Sequence, residues 1–183
     1  MRRQWPVLAS ILIVVVVLGL IYLRDSRRVP ADQPATQIPA FPQLTNTDMR
    51  SVRLMDPAVP QDALVIAYRS SLQAWTLPGD DGPDLDQEQV DVLVTVLARM
   101  TFVDSMAPGE AGFASYGLAN GGRFVAEFTT QNGVEHRLRV GNLTPAERSY
   151  YVRIDELDRV SIIERERIDL LMFVLRQPTF LMP

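Results

Sequence analysis

"RFVAEFTTQNGVEHRLRVG", Arg123 to Gly141, is the stretch that decides the fold. Phe124, Ala126 and Phe128 alternate with Val125, Glu127 and Thr129; after "QNG", Val134, His136, Leu138 and Val140 alternate with Glu135, Arg137 and Arg139. A period of two sends successive side chains to opposite faces, so two such runs around a short Gly-containing turn predict a hairpin with one buried face. Downstream, "YYVRI" and "RVSII" flank "DELD" and predict a second hairpin, and "ERIDLLMFVLR" predicts a closing helix that Pro178 stops. Upstream, "SVRLM", "ALVIAYR" and "LQAWTL" read as strands, with "PGDDGPD" as the turn after them. In "DLDQEQVDVLVTVLARM", Val90, Leu93, Val94, Leu97 and Met100 mark one face of a helix. Asp84 with Gln87 resembles a capping box, and Asp86 and Glu88 suit the positive end of the helix dipole. A loop rich in small residues separates this helix from Arg123. Strand runs flanked by single helices predict an α+β fold with a largely antiparallel sheet and two main helices.

At the other end of the chain, "WPVLASILIVVVVLGLIYL" carries no charge from Trp5 to Leu23. A helix of that length spans roughly 28 Å, close to a bilayer's hydrocarbon thickness. Trp5 and Tyr22 bracket the run where amphipathic rings favour the interface, and Gly19 and Ser10 are small enough for close approach of a neighbouring helix. "IYLRDSRR" follows in place of the small residues of a cleavage site, so the expectation is an uncleaved single-span anchor. Arginines flank both ends; an N-terminal signal-anchor places the domain outside the cytoplasm. Pro30, Pro34, Pro39 and Pro42 then make an extended, stiff spacer. The organisation expected is therefore an N-terminal tail and transmembrane anchor at 1–28, a Pro-rich linker at 29–44, and an α+β extramembrane domain at 45–183. That domain reads as one body or as two small lobes, 45–105 and 110–183.

Composition narrows the chemistry. Of 18 basic and 22 acidic residues, five arginines and one aspartate lie before residue 30, which leaves 13 against 21, a net of −8. A domain of that charge has no general field for nucleic acid. Every basic residue is arginine, which excludes a phosphate-loop lysine, a Schiff-base lysine and a Ser–Lys dyad. Without cysteine there are no disulfides, thiolate nucleophiles or iron–sulfur ligands. No cofactor is expected.

Trp75 before an amphipathic helix, Tyr116-Gly117-Leu118, Val140-Gly141 before a loop, Tyr151-Val152 and the strand from Arg159 to Ile163 follow one another in a familiar order. From about Ser51 onward the chain resembles the bacterial domain-of-unknown-function family 4340. The resemblance implies an N-terminal membrane span carrying an α+β domain; with the signal-anchor orientation, the expected location is the bacterial cytoplasmic membrane, with the domain on the periplasmic side. Some relatives are similar to accessory parts of gliding-motility ABC exporters, which implies attendance on a larger membrane machine.

Individual side chains offer few reactive groups. His136, the only histidine, falls on the inward face of its strand and reads as half-buried and hydrogen-bonded, because a lone imidazole is a poor metal site. Asp80, Asp81, Asp84 and Asp86 are oxygen donors around a glycine turn and stand as calcium candidates, although their spacing misses the "DxDxDG" loop. The glycines of "GLANGGRF" lead into a strand and so read as a turn, and "NLTP" as a surface loop. No Ser–His–Asp set assembles, and no spacing singles out a catalytic carboxylate pair. Trp75, Tyr150, Tyr151, Phe180 and Leu181 are candidates for partner contact, since aromatic and apolar groups anchor interfaces. The alternative for each is the domain's own core.

These features predict a non-catalytic single-span accessory subunit that stabilises or caps a multi-subunit membrane complex, with an electron-transfer or energy-transducing complex as the leading host. Its partners would be integral membrane subunits and the lipid bilayer, not nucleic acid. An extracytoplasmic auxiliary component of an ABC-type exporter is one alternative, and a membrane-tethered hydrolase the other.

Overall fold

The computed structural model describes residues 37–79, 85–110, 112–155 and 157–183. The anchor with Trp5, Gly19 and Tyr22, the first half of the spacer, and Asp80, Asp81 and Asp84 lie outside the described residues. Among the described residues no helix is long and apolar enough to cross a membrane.

The hairpin read from Arg123 to Gly141 is the centre of the molecule. Phe124–Thr130 (β7) pairs antiparallel with Glu135–Leu143 (β8), in a register that sets Ala126 opposite Leu138 and Phe128 opposite His136. Outward on one side come Met49–Met55 (β2), Leu64–Arg69 (β3) and the short edge strand Ala74–Thr76 (β4). On the other lie Ser149–Ile154 (β9), Val160–Glu164 (β10) and Asp104–Met106 (β6). The sheet has eight strands in the order β4-β3-β2-β7-β8-β9-β10-β6, with every ladder antiparallel. Since β2 from the first half lies beside β7 from the second, one sheet crosses the boundary of the two lobes considered above.

Two helices, Gln87–Ala98 (α1) and Arg165–Arg176 (α2), share a core with one face of this sheet. Val90, Leu93, Val94 and Leu97 are all at most 1% exposed, as their spacing requires; burying each such side chain contributes roughly 1.5–3 kcal/mol. The helix starts differently from expectation. Asp86, not Asp84, is the N-cap, its carboxylate accepting from the N–H groups of Glu88 and Gln89 at 3.0 and 3.3 Å. Gln87 is engaged elsewhere, where its Nε2 donates to Trp75 O at 3.0 Å and its Oε1 accepts from Trp75 N at 2.8 Å. One side-chain amide thus satisfies both outward backbone groups of an edge residue, which would otherwise template pairing with another chain.

Three short pieces, β6 among them, were not expected as strands. Ile38–Pro39 (β1) pairs with Thr101–Phe102 (β5), and Ala40 N donates to Met100 O at 2.8 Å. Phe41 follows, 5% exposed, edge-on to Phe128 with ring centroids 4.9 Å apart. Residues 37–44, read above as spacer, therefore belong to the folded unit, which runs from Gln37 to Pro183. Pro39 and Pro42 do not prevent this, because β1 is a two-residue edge that needs few donors.

Candidate functional site

The opposite face of the sheet is only partly covered. At one end the segment Gly112–Gly121 lies over it as two short 3-10 turns. Leu118 is 2% exposed, Tyr116 stacks edge-on with Tyr151 at 4.9 Å, and the Arg153 guanidinium carbon sits 4.1 Å above the Phe113 ring. A Cβ on Gly141 would collide with the Tyr116 carbonyl and reach within 3.0 Å of Leu118. Tyr116-Gly117-Leu118 and Val140-Gly141 are thus two halves of one packing device.

Beyond that cover, Arg53, Glu135 and Arg137 on this face are exposed, while Ala74 and Thr76 at its β4 edge are buried. The registers place Arg53, Arg69, Arg137, Arg139 and Arg153 on it, against Glu127, Glu135 and Asp104. Glu127 sits between two of the cations, 2.8 Å from Arg137 Nε and 3.9 Å from Arg53 Nη1. The surface is arginine-rich within a chain that is acidic as a whole.

At the turn end of β7 and β8 lies a groove of about 640 Å³. His136 borders it, half-buried on the face that carries Leu138 and Val140, with Phe128 and Phe41 ring centroids 5.1 and 5.2 Å away. Its Nδ1 is 2.7 Å from Asp155 Oδ2, while Asp155 Oδ1 accepts from Arg137 N at 2.8 Å. Asp155 has a left-handed φ of 47° immediately after β9, and its own N–H donates to Arg137 O. A carboxylate held by backbone in this way fixes the orientation of the imidazole, which is the base-and-orienter half of an acid–base apparatus. Thr130 is nearby, but its hydroxyl is bonded to Asn132 and to the Val134 carbonyl. Among the described residues no cluster of three His, Cys, Asp or Glu could hold a metal ion.

A second groove of about 620 Å³ lies at the opposite end of the strands, against α2. Buried Tyr150 donates from its hydroxyl to Asp169 Oδ1 at 2.9 Å, and Asp169 Oδ2 accepts from Arg165 Nε at 2.9 Å. Burial raises the Tyr150 pKa, and the Asp169 hydrogen bond and charge add to the rise, against opposing pulls from Arg165 and Arg123. Hydrogen bonding to Asp169 likewise holds the Arg165 pKa above its ordinary value.

The residues singled out from sequence fall unequally. Trp75 is 5% exposed, Tyr150 5% and Leu181 0%, so these three pack in the domain's own core. Leu181 is further pinned because its carbonyl accepts from Asp86 N at 2.8 Å. Tyr151 is partly exposed beside Tyr116, and Phe180 is partly exposed against Phe173 with ring centroids 5.5 Å apart. Asp86 spends its carboxylate on the helix cap, which leaves it poorly placed as a calcium donor. Sequence reasoning passed over Asp155, Asp169, Arg123 and Arg176. Only the Arg165–Asp169 pair carried a local signal, four residues apart on one helix.

The fold and these surfaces define a class: a two-layer α+β domain, helices on one side of an antiparallel sheet and a motif-bearing turn segment on part of the other. The profile of the family described as a domain of unknown function (DUF4340) matches residues 75–173, more than half of the chain, and the chain belongs to that family. The match starts at Trp75, later than the Ser51 expected from the quoted motifs. No curated protein and no solved structure matches the chain.

Proposed function

We propose that the chain is a non-catalytic, membrane-anchored accessory subunit whose domain docks on an acidic surface of a neighbouring subunit. The observation that carries this reading is the uncovered part of the sheet face, where arginines on β2, β3 and β8 stand exposed or half-buried in a chain of net negative charge. Arginine's planar fork suits carboxylates at protein interfaces, and complementary charge steers and orients such encounters. The apolar N-terminal run supplies a tether that raises the domain's effective concentration near other membrane proteins. The host in this reading is an electron-transfer or energy-transducing complex, by analogy with the small single-span subunits such complexes collect; an ABC-type exporter, which the family resemblance suggests, is the alternative host.

The test is purification of the full chain in mild detergent, followed by mass spectrometry. Recovery with integral membrane subunits is expected, together with marked loss of those subunits from an Arg53→Glu/Arg137→Glu variant of unchanged thermal stability. Recovery of the chain alone, as a monomer or as a dimer of itself, sinks the reading. A membrane-tethered hydrolase is the second reading, and the His136–Asp155 pair beside its groove favours it. A His136→Asn variant that loses a measured hydrolytic activity while keeping its fold would support it.

A further inference from the structure

The groove at the α2 end of the sheet contains two exposed cations. Arg123 directly precedes β7 and Arg176 ends α2; both are exposed, and both line the 620 Å³ groove and an adjoining hollow of about 320 Å³. Among the described residues neither guanidinium has an ion-pair or hydrogen-bond partner, whereas Arg165 in the same groove is engaged by Asp169. Exposed Phe173 and half-buried Met172 line the floor between them. Asp56 lines both hollows and Asp62 the smaller one, and Asp56 Oδ1 accepts from Ala58 N.

We propose that this groove binds an extended segment of a partner protein bearing one or two carboxylates beside an apolar side chain, with Arg123 and Arg176 as the carboxylate receptors. The inference rests on the accessory-subunit reading and names a second contact, separate from the open sheet face. Two guanidinium forks without partners match carboxylates in planar geometry. The apolar floor accepts the neighbouring side chain, and an open trough fits extended chain better than a compact ligand. The aspartates beside these arginines limit how much negative charge the groove tolerates. That, with the net charge of the domain, disfavours densely anionic ligands such as polyphosphate or an anionic lipid surface.

The experiment uses the full chain in detergent micelles and two fluorescent pentapeptides, Gly-Glu-Phe-Glu-Gly and its counterpart with glutamine in both glutamate positions. Binding is read as fluorescence anisotropy. The glutamate peptide is expected to bind, with the glutamine peptide weaker by about tenfold or more. An Arg123→Gln/Arg176→Gln variant should lose a similar factor at unchanged melting temperature, and Arg123→Lys/Arg176→Lys should recover part of it. Inorganic phosphate and phosphatidylglycerol vesicles should compete poorly. Absence of glutamate-peptide binding, equal binding of the two peptides, undiminished binding by the glutamine variant, or competition by phosphate or vesicles at the peptide's own concentration overturns the proposal. Co-purification separates its failure from that of the broader reading. Partner recovery with no glutamate-peptide binding removes this groove and leaves the accessory role standing; peptide binding by a chain that recovers no partner does the reverse.

Discussion

Gly141 shows how one hydrogen atom can fix the arrangement of a whole segment. It has no left-handed φ, so its requirement is one of space alone. An added methyl would meet the Tyr116 carbonyl, which is backbone and cannot swing aside, and Leu118 Cγ at 3.0 Å. Gly141→Ala should therefore cost about 1–3 kcal/mol, the usual range for overpacking. A fall in melting temperature on the order of 5 °C is expected; an unchanged melt would show that the turn segment is not held against β8. Tyr150 supports a prediction of a different kind. Its pKa is raised above 10.0 in the folded chain, by burial first and by Asp169 second. Below pH 10.0 the phenol is protonated in both states, so the contribution is fully present. As pH rises, the unfolded chain releases its proton first, and the contribution is lost as pH rises through the folded value. Stability should thus fall on the alkaline side, with a shallower fall in Tyr150→Phe. A phenolate absorbance titration should show one tyrosine of the native chain ionising later than the rest.

At the scale of elements, α1 separates what periodicity can reveal from what it cannot. The spacing of Val90, Leu93, Val94 and Leu97 gave its existence and its buried face, because burial of a helical stripe is written every three to four residues. Its cap was not readable, since Asp84 and Asp86 are the same residue type two positions apart and tertiary contacts choose between them. Asp86 N is claimed by the Leu181 carbonyl, and the Gln87 amide by the Trp75 backbone. Asp86→Ala should accordingly destabilise the domain by about 1 kcal/mol, the ordinary value of an N-cap, as measured by denaturant unfolding. An unchanged unfolding midpoint would return the cap to Asp84. β1, β5 and β6 are two or three residues long and cannot display a period, so Ile38–Pro39 and Asp104–Met106 became strands only through their partners. The same reason hid much of the candidate sites. His136 was legible as an inward residue of an alternating strand. Asp155, nineteen positions on, reaches it only because β9 runs back along β8, and Arg123 meets Arg176 only where α2 crosses the sheet's end.

At the scale of the whole molecule, the order of strands decides which piece of the chain is a folding unit. The stretch that matches the family begins at Trp75 in β4, yet β4 reaches β7 only across β3 and β2, which precede the match. A chain starting there would leave the central strand β7 without its β2 neighbour and expose Phe124 and Phe128, which are at most 2% exposed in the intact domain. The opposite boundary is set by Phe41. It plugs the core against Phe128 and His136, and β1 just before it covers β5. A chain comprising residues 37–183 should therefore fold by itself and melt cooperatively. Starting at residue 45 removes a buried phenylalanine, for which losses run to about 3–5 kcal/mol, a large share of the roughly 5–15 kcal/mol that a domain of this size possesses. Starting at residue 75 should abolish the transition altogether. Circular dichroism melts of the three truncations test this directly. If the chain from 45 melts like the chain from 37, Phe41 and β1 are ornaments on a self-sufficient sheet, and the spacer ends where its last proline does.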